Sequence, residues 1–200
     1  MRIVSAPLVN IHTHRPAGTG IELRTAGIHP WEAAGRSASE LLPLAPDVQA
    51  VGETGLDFVR GAERSEQLRL LREQLTLAEE LGLPVVLHCV RAFNPLMTEL
   101  RGRRLRAVLF HGFIGSPQEA RRAVERGCYL SFGERTFRSP KTLEALRRTP
   151  LDRIFCETDE SDTPIGEIYR RTAEAKGIDA ETLAEALWDN YRLIFERHDR

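Results

Sequence analysis

Five apolar runs of strand length in this chain each end in a histidine or a carboxylate and then pass into a turn. They are Leu8–Ile11 before His12-Thr13-His14, Asp47–Val51 before Gly52-Glu53, Pro84–Leu87 before His88, Ala107–Phe110 before His111, and Arg153–Cys156 before Glu157-Thr158-Asp159. Nearly continuous apolar runs are what parallel strands covered on both faces look like. Two further runs, Ile21–Ile28 and Cys128–Phe132, bring the strand candidates to about seven.

Helix signals fall between them. Ser65 reads as the N-cap of a helix to Leu81, with Leu68, Leu71, Leu75 and Ala78 on one face and Gly82 past its end. Asn94-Pro95 opens a helix through Leu100. Ser116-Pro117 opens one to Arg126, with Ser116 and Glu119 at capping-box spacing. Ser139-Pro140, Thr163-Pro164 (to Lys176) and Asp179 start three more, the last carrying Leu183, Leu187, Tyr191, Ile194 and Phe195. A short helix is expected over Ser39–Ala45. Strands alternating with capped helices predict an α/β chain with a parallel sheet: a TIM-type β/α barrel, shortened to about seven strands, folded as a single domain over residues 1–200.

The donors at the strand ends acquire meaning from that fold class, because a β/α barrel directs the C-terminal ends of its strands to one mouth. Alternation puts His12 and His14 on the same side of their segment. With Glu53, His88, His111 and Asp159 they form a six-residue nitrogen and oxygen donor set suited to a metal site. Any one of these residues alone is ordinarily a hydrogen-bonded core or loop histidine, or a turn carboxylate. That account does not extend to five strand ends at once. The donor types suit Zn, Mn or Ni, and Mg less naturally.

Composition excludes several other classes. The formal net charge of −1 gives no bulk basic field for long stretches of nucleic acid, so any such binding is local. Cys89, Cys128 and Cys156 are far apart and form no Cys-x-x-Cys pair, which predicts reduced thiols packed in the core. No apolar run reaches the roughly 20 residues of a membrane helix, and no long apolar signal core opens the chain. A cytoplasmic protein with no membrane contact and no obligate protein partner is expected.

The chain resembles the TatD-related metal-dependent hydrolases, a branch of the amidohydrolase-like barrels. The resemblance rests on His12-x-His14, Gly27-Ile28-His29-Pro30, Gly52-Glu53-Thr54-Gly55-Leu56-Asp57 and the histidine closing Pro84–His88. It continues through His111-Gly112-Phe113-x-Gly115-Ser116, Glu157-Thr158-Asp159 and Asn190-Tyr191-Arg192-Leu193-Ile194-Phe195. It implies that His12, His14, Glu53, His88, His111 and Asp159 bind one or two divalent metals, with Glu53 able to bridge them, and that DNA ends are the substrate. Three departures stand out. Asn10 occupies a position where the family commonly has Asp, which predicts weaker support for the metal ligands. An extra helix and strand usual between His14 and His29 are missing. Arg91 follows His88 by three positions, where the family often has a basic residue after two.

The expected chemistry is attack of a metal-activated water on a phosphodiester, with Asp159 touching a metal and accepting the water's proton and Glu53 setting the metal spacing. Arg91 is the candidate for holding a neighbouring phosphate. His29 is the candidate for lining the substrate side, and Glu157 for supporting the ligands from behind. Two other readings are open: a hydrolase of small carbonyl or phosphate esters, and a metal-binding scaffold without turnover. A carboxylated-lysine bridge is disfavoured, since Lys141 and Lys176 both lie away from the strand ends.

Overall fold

The computed structural model describes residues 6–196. In chain order its elements are β1 (Val9–Asn10), β2 (Ile21–Glu22), β3 (Thr25–Ala26), β4 (Ala50–Asp57), α1 (Arg64–Leu81), β5 (Val85–Val90), α2 (Phe93–Glu99), β6 (Val108–Phe110), α3 (Pro117–Glu125), β7 (Tyr129–Phe132), α4 (Pro140–Arg148), β8 (Ile154–Cys156), α5 (Ile165–Lys176) and α6 (Ala180–Phe195). Its contacts divide the described residues into two compact units, one formed by residues 24–110 and the other by residues 6–23 with 111–196.

In the 24–110 unit, β3, β4, β5 and β6 pair in that order, all parallel. Val51, Leu56, Val85, Val86 and Leu87 are fully buried, each worth about 1.5–3 kcal/mol relative to exposure. The β4 register shifts between Val51 and Thr54, the stretch that contains Glu53. Strand β4 lies so close to β5 that a Cβ on Gly55 would come within 2.1 Å of the His88 carbonyl oxygen, and Gly55 also has φ 143°. Glycine is required there. Helix α1 packs on β4 and ends at Gly82 in the left-handed conformation, as its sequence predicts.

In the other unit β1 pairs with β2, and β7 with β8, again in parallel. Strand β1 is only two residues long, so hydrogen bonding alone holds it weakly. The fully buried Tyr169 of α5 fixes it, accepting from the Val9 amide at 2.9 Å and donating to the Val9 carbonyl at 3.0 Å. Asn190 of α6 donates to the carbonyls of Leu151 and Ile154 and so fastens β8. Lys176 ends α5 by donating to the last carbonyls of α4.

Several local expectations are corrected. The run Ile21–Ile28 divides into β2 and β3, because the Leu23 amide bonds back to Asn10 whereas the Arg24 carbonyl accepts from Gln49. The helix expected over Ser39–Ala45 is a 3-10 turn over Ala38–Leu41, capped by a box between Ser37 and Glu40 and stopped before Pro43. Strand β4 starts at Ala50 and runs through the glycine-flanked motif to Asp57, so Glu53 sits within a strand and not beyond one. Ser65 and Asn94 lie inside α1 and α2, whose N-caps are Glu63 and Ala92. Cys128 and Cys156 are buried as expected, and burial pushes both thiols up to about 12.

Candidate metal centre and active site

In the unit containing β1 and β8, the segment after β1 runs alongside the segment after β8. The Ile11 amide donates to the Cys156 carbonyl, the Asp159 amide to the His12 carbonyl and the His14 amide to the Asp159 carbonyl, each at 3.1 Å. Asn10 completes the clasp. Its side-chain oxygen accepts from the Thr158 amide at 3.0 Å, and its nitrogen donates to the Thr158 hydroxyl at 2.9 Å. These contacts bring His12, His14 and Asp159 together. Asp159 has φ 53°, a left-handed conformation that aspartate adopts more readily than most residues.

The separations within this group bear on what it can hold. His12 Nε2 lies 3.3 Å from His14 Nε2, and Asp159 Oδ1 is 3.8 Å from the first and 3.6 Å from the second. Donor atoms about 2.0–2.1 Å from a tetrahedral ion sit roughly 3.3–3.4 Å apart. The group fits a divalent ion on geometry as well as on donor type. His111 joins from the same unit, its ring centroid 4.2 Å from that of His12. It also groups with Glu157 and Asp159, with ligand atoms all within 4.8 Å of one another.

Behind His111 stands Glu157, 1% exposed, with Oε1 3.6 Å from His111 Nδ1. Burial works to raise the Glu157 carboxyl, but the neighbouring His111, His12 and the Ser131 hydroxyl outweigh it and hold the group below the usual carboxylate range. Ser131 donates to Glu157 Oε2 and accepts from the Gly112 amide. Strand β7, which carries no evident ligand in its sequence, therefore contributes the hydroxyl that holds this carboxylate.

The 24–110 unit gathers His29, Glu53 and His88. His88 Nδ1 lies 2.5 Å from Glu53 Oε1, within hydrogen-bond reach, and His29 Nε2 lies 3.3 Å from the same oxygen. His29 Nδ1 accepts from the Trp31 amide, so the neutral ring carries its proton on Nε2, facing Glu53. Asp57 Oδ2 stands 3.5 Å from His88 Nε2. Burial acts to raise the Asp57 carboxyl, but donation from Trp31 Nε1 and from the Val59 and Arg60 amides keeps it below the normal range.

Two buried glutamines on one face of α1 hold this group in place. Gln74 accepts from the Ile28 amide at 2.7 Å and donates to the Ile28 carbonyl and the Thr54 hydroxyl, gripping the chain just before His29 and just after Glu53. Gln67 does the same for Asp57, bonding its amide and its carbonyl. Neither glutamine, nor Asp57, nor Trp31 stands out as functional in the sequence. The readable signal is a polar residue recurring after seven positions within an otherwise leucine-rich buried stripe. Arg91 has an exposed side chain and φ 50°, and takes no part in the hydrogen bonds and ion pairs of this group.

The description TatD related DNase matches residues 20–196. The chain belongs to the TatD family. Among curated relatives, the TatD 3'-5' ssDNA/RNA exonuclease of Cronobacter sakazakii is 41% identical over 151 residues, spanning 68% of this chain and 56% of that protein. The enzyme of the same name from Escherichia fergusonii is 32% identical over 201 residues, spanning 86% and 76%. A solved TatD homolog from Escherichia coli K12, YJJV, superposes with TM-score 0.77 at 30% identity over 88% of this chain and 77% of that one. The TatD family hydrolase of Entamoeba histolytica reaches the same TM-score at 19% identity, over 88% and 75%, and speaks for the fold alone. The fold is thus the TatD-type α/β fold, and the chain is a hydrolase of the TatD type whose histidines and carboxylates form groups able to hold metal.

Proposed function

We propose that this TatD-family chain is a divalent-metal-dependent phosphodiesterase that removes nucleotides from the 3' ends of single-stranded DNA or RNA. His12, His14, His111 and Asp159 in one unit, and Glu53 and His88 in the other, are the residues assigned to the ions. The observation that carries the reading is the convergence of His12, His14 and Asp159, whose donor atoms lie 3.3–3.8 Å apart, close to the spacing of donors around a small cation. The family membership and the names of the curated relatives support the substrate class.

A bound divalent ion supplies Lewis acidity to the scissile phosphate and to the attacking water. The protein's own contribution is positional and protic. Asp159 is 23% exposed at its side chain, so it reaches solvent and accepts the proton from the attacking water. Glu157, buried behind His111 with Oε1 3.6 Å from Nδ1, sets its negative charge against that nitrogen and leaves Nε2 as the nitrogen for an ion. Asp57 does the corresponding work on His88 through the other nitrogen. Among the described residues no helix is long and apolar enough to cross a membrane.

The test uses metal-reconstituted protein on 5'-labelled single-stranded DNA, on bis(p-nitrophenyl) phosphate and on a lactone, with Asp159→Ala as the control. A ladder shortened from the 3' end and lost in the variant supports the proposal. Hydrolysis of the lactone alone overturns it.

A further inference from the structure

The turns after His111, after β7 and after β8 enclose a pocket of about 210 Å³, lined in part by Ile114, Arg135, Thr136, Glu157, Asp159 and Ser161. Its size is below the roughly 300 Å³ at which sites for whole drug-sized ligands begin, so it accommodates a sugar-phosphate unit and not an extended chain. Asp159 borders it, so whatever enters lies beside the proposed reaction centre.

The lining is acidic apart from one arginine. Glu134, Glu157, Asp159 and Glu160 all contribute, yet Arg135, an exposed residue, forms no ion pair with any described carboxylate. The nearest candidate in sequence is already engaged: Glu134 is bound by Arg138 through one oxygen and by the Ser161 hydroxyl through the other. Thr136, 1% exposed, lines the same pocket, and its hydroxyl has no hydrogen-bond partner among the described residues. Buried hydroxyls normally find partners within the protein or with a bound molecule. An unengaged guanidinium and a partnerless buried hydroxyl in one small pocket are explained together by an anionic ligand that carries further polar atoms.

We propose that this pocket binds the nucleotide unit on the 5' side of the scissile bond, with Arg135 gripping the phosphate next to the one that is cleaved. The guanidinium fork matches a phosphate bidentately, and the surrounding carboxylates repel an anion everywhere except at that fork. The Thr136 hydroxyl gains its partner when the sugar is seated. The inference rests on the phosphodiesterase reading and adds the feature that makes the enzyme prefer a polynucleotide to a lone diester.

The test compares thymidine oligonucleotides with one phosphate (TpT) and two phosphates (TpTpT). The wild-type protein is expected to show kcat/KM at least about tenfold higher on the trinucleotide, chiefly through KM. Arg135→Gln brings that ratio to about one, and Arg135→Lys retains part of it. Thr136→Val, which removes the hydroxyl and keeps the shape, lowers the ratio about threefold. A ratio that survives in both Arg135→Gln and Thr136→Val overturns this inference and leaves the phosphodiesterase reading standing. Failure of the wild-type protein to cleave either substrate removes that reading and this inference with it.

Discussion

The two units of this chain each assemble histidines and carboxylates, but they do so in opposite ways. In the unit with β1 and β8, the donor atoms of His12, His14 and Asp159 stand 3.3–3.8 Å apart, at the spacing of ligands around an ion. In the 24–110 unit, Glu53 and His88 approach to 2.5 Å, in direct hydrogen-bond contact. The first group spreads its donor atoms around a common point, whereas in the second a histidine and a carboxylate lie directly against each other. The supports differ too. Glu157 is held by a single hydroxyl, and Asp57 by an indole and two backbone amides.

The largest effect tests the roles assigned to the first group. Asp159→Asn should lower kcat about 1,000-fold, since it removes both a charged ligand and the proton acceptor. A loss of less than tenfold in steady-state assays would take Asp159 out of the mechanism.

Next come the carboxylates behind the histidines. Glu157→Gln should weaken metal binding about 100-fold and Asp57→Asn about tenfold, measured by calorimetric titration, within the range usual for such partners. The order follows from compensation: three donors already neutralise much of the Asp57 charge, and one hydroxyl leaves most of the Glu157 charge acting on His111. The reverse order would break the contrast between the units.

The glutamines sharpen it further. Gln74→Leu strands the Ile28 amide, the Ile28 carbonyl and the Thr54 hydroxyl in a buried site, and should cost about 1–3 kcal/mol in chemical denaturation. Gln67→Leu should behave alike through Asp57. Among the described residues no comparable glutamine clamp holds the His12–Asp159 group, which depends on the Asn10 clasp.

Asn10→Asp should give the smallest effect, less than about twofold in metal affinity. Asn10 contacts Thr158 and not a histidine, and an aspartate there still accepts from the Thr158 amide, while the Thr158 hydroxyl, which accepts from Asn10 Nδ2 and donates to Thr13, turns its proton to the new carboxylate. Asn10 supports the ligands through Thr158, and this variant tests the expectation that it does so more weakly than aspartate.

Much of this was legible beforehand for a physical reason. Buried parallel strands are continuous apolar runs, and the donors that follow them are marked by position, so His12, His14, His88, His111 and Asp159 could be read directly. Glu53 reads as lying past its strand, because glycine-flanked residues look like a turn when the close approach of β4 to β5 is invisible. The supporting residues were harder. Asp57, Gln67 and Gln74 act on backbone groups or rings brought near by folding, and Ser131 is an unremarkable strand hydroxyl until Glu157 lies against it. The division of Ile21–Ile28 was equally hidden, since a change of hydrogen-bonding partner leaves no trace in an apolar pattern.

The most direct test of the central claim is a paired measurement on the His12→Ala/His14→Ala double variant: divalent-ion binding by calorimetry, and release of nucleotides from single-stranded DNA in the same preparation. The account predicts that both are lost together while the thermal unfolding midpoint stays within a few degrees of wild type. Retention of wild-type ion binding and nuclease activity by the folded variant would contradict it.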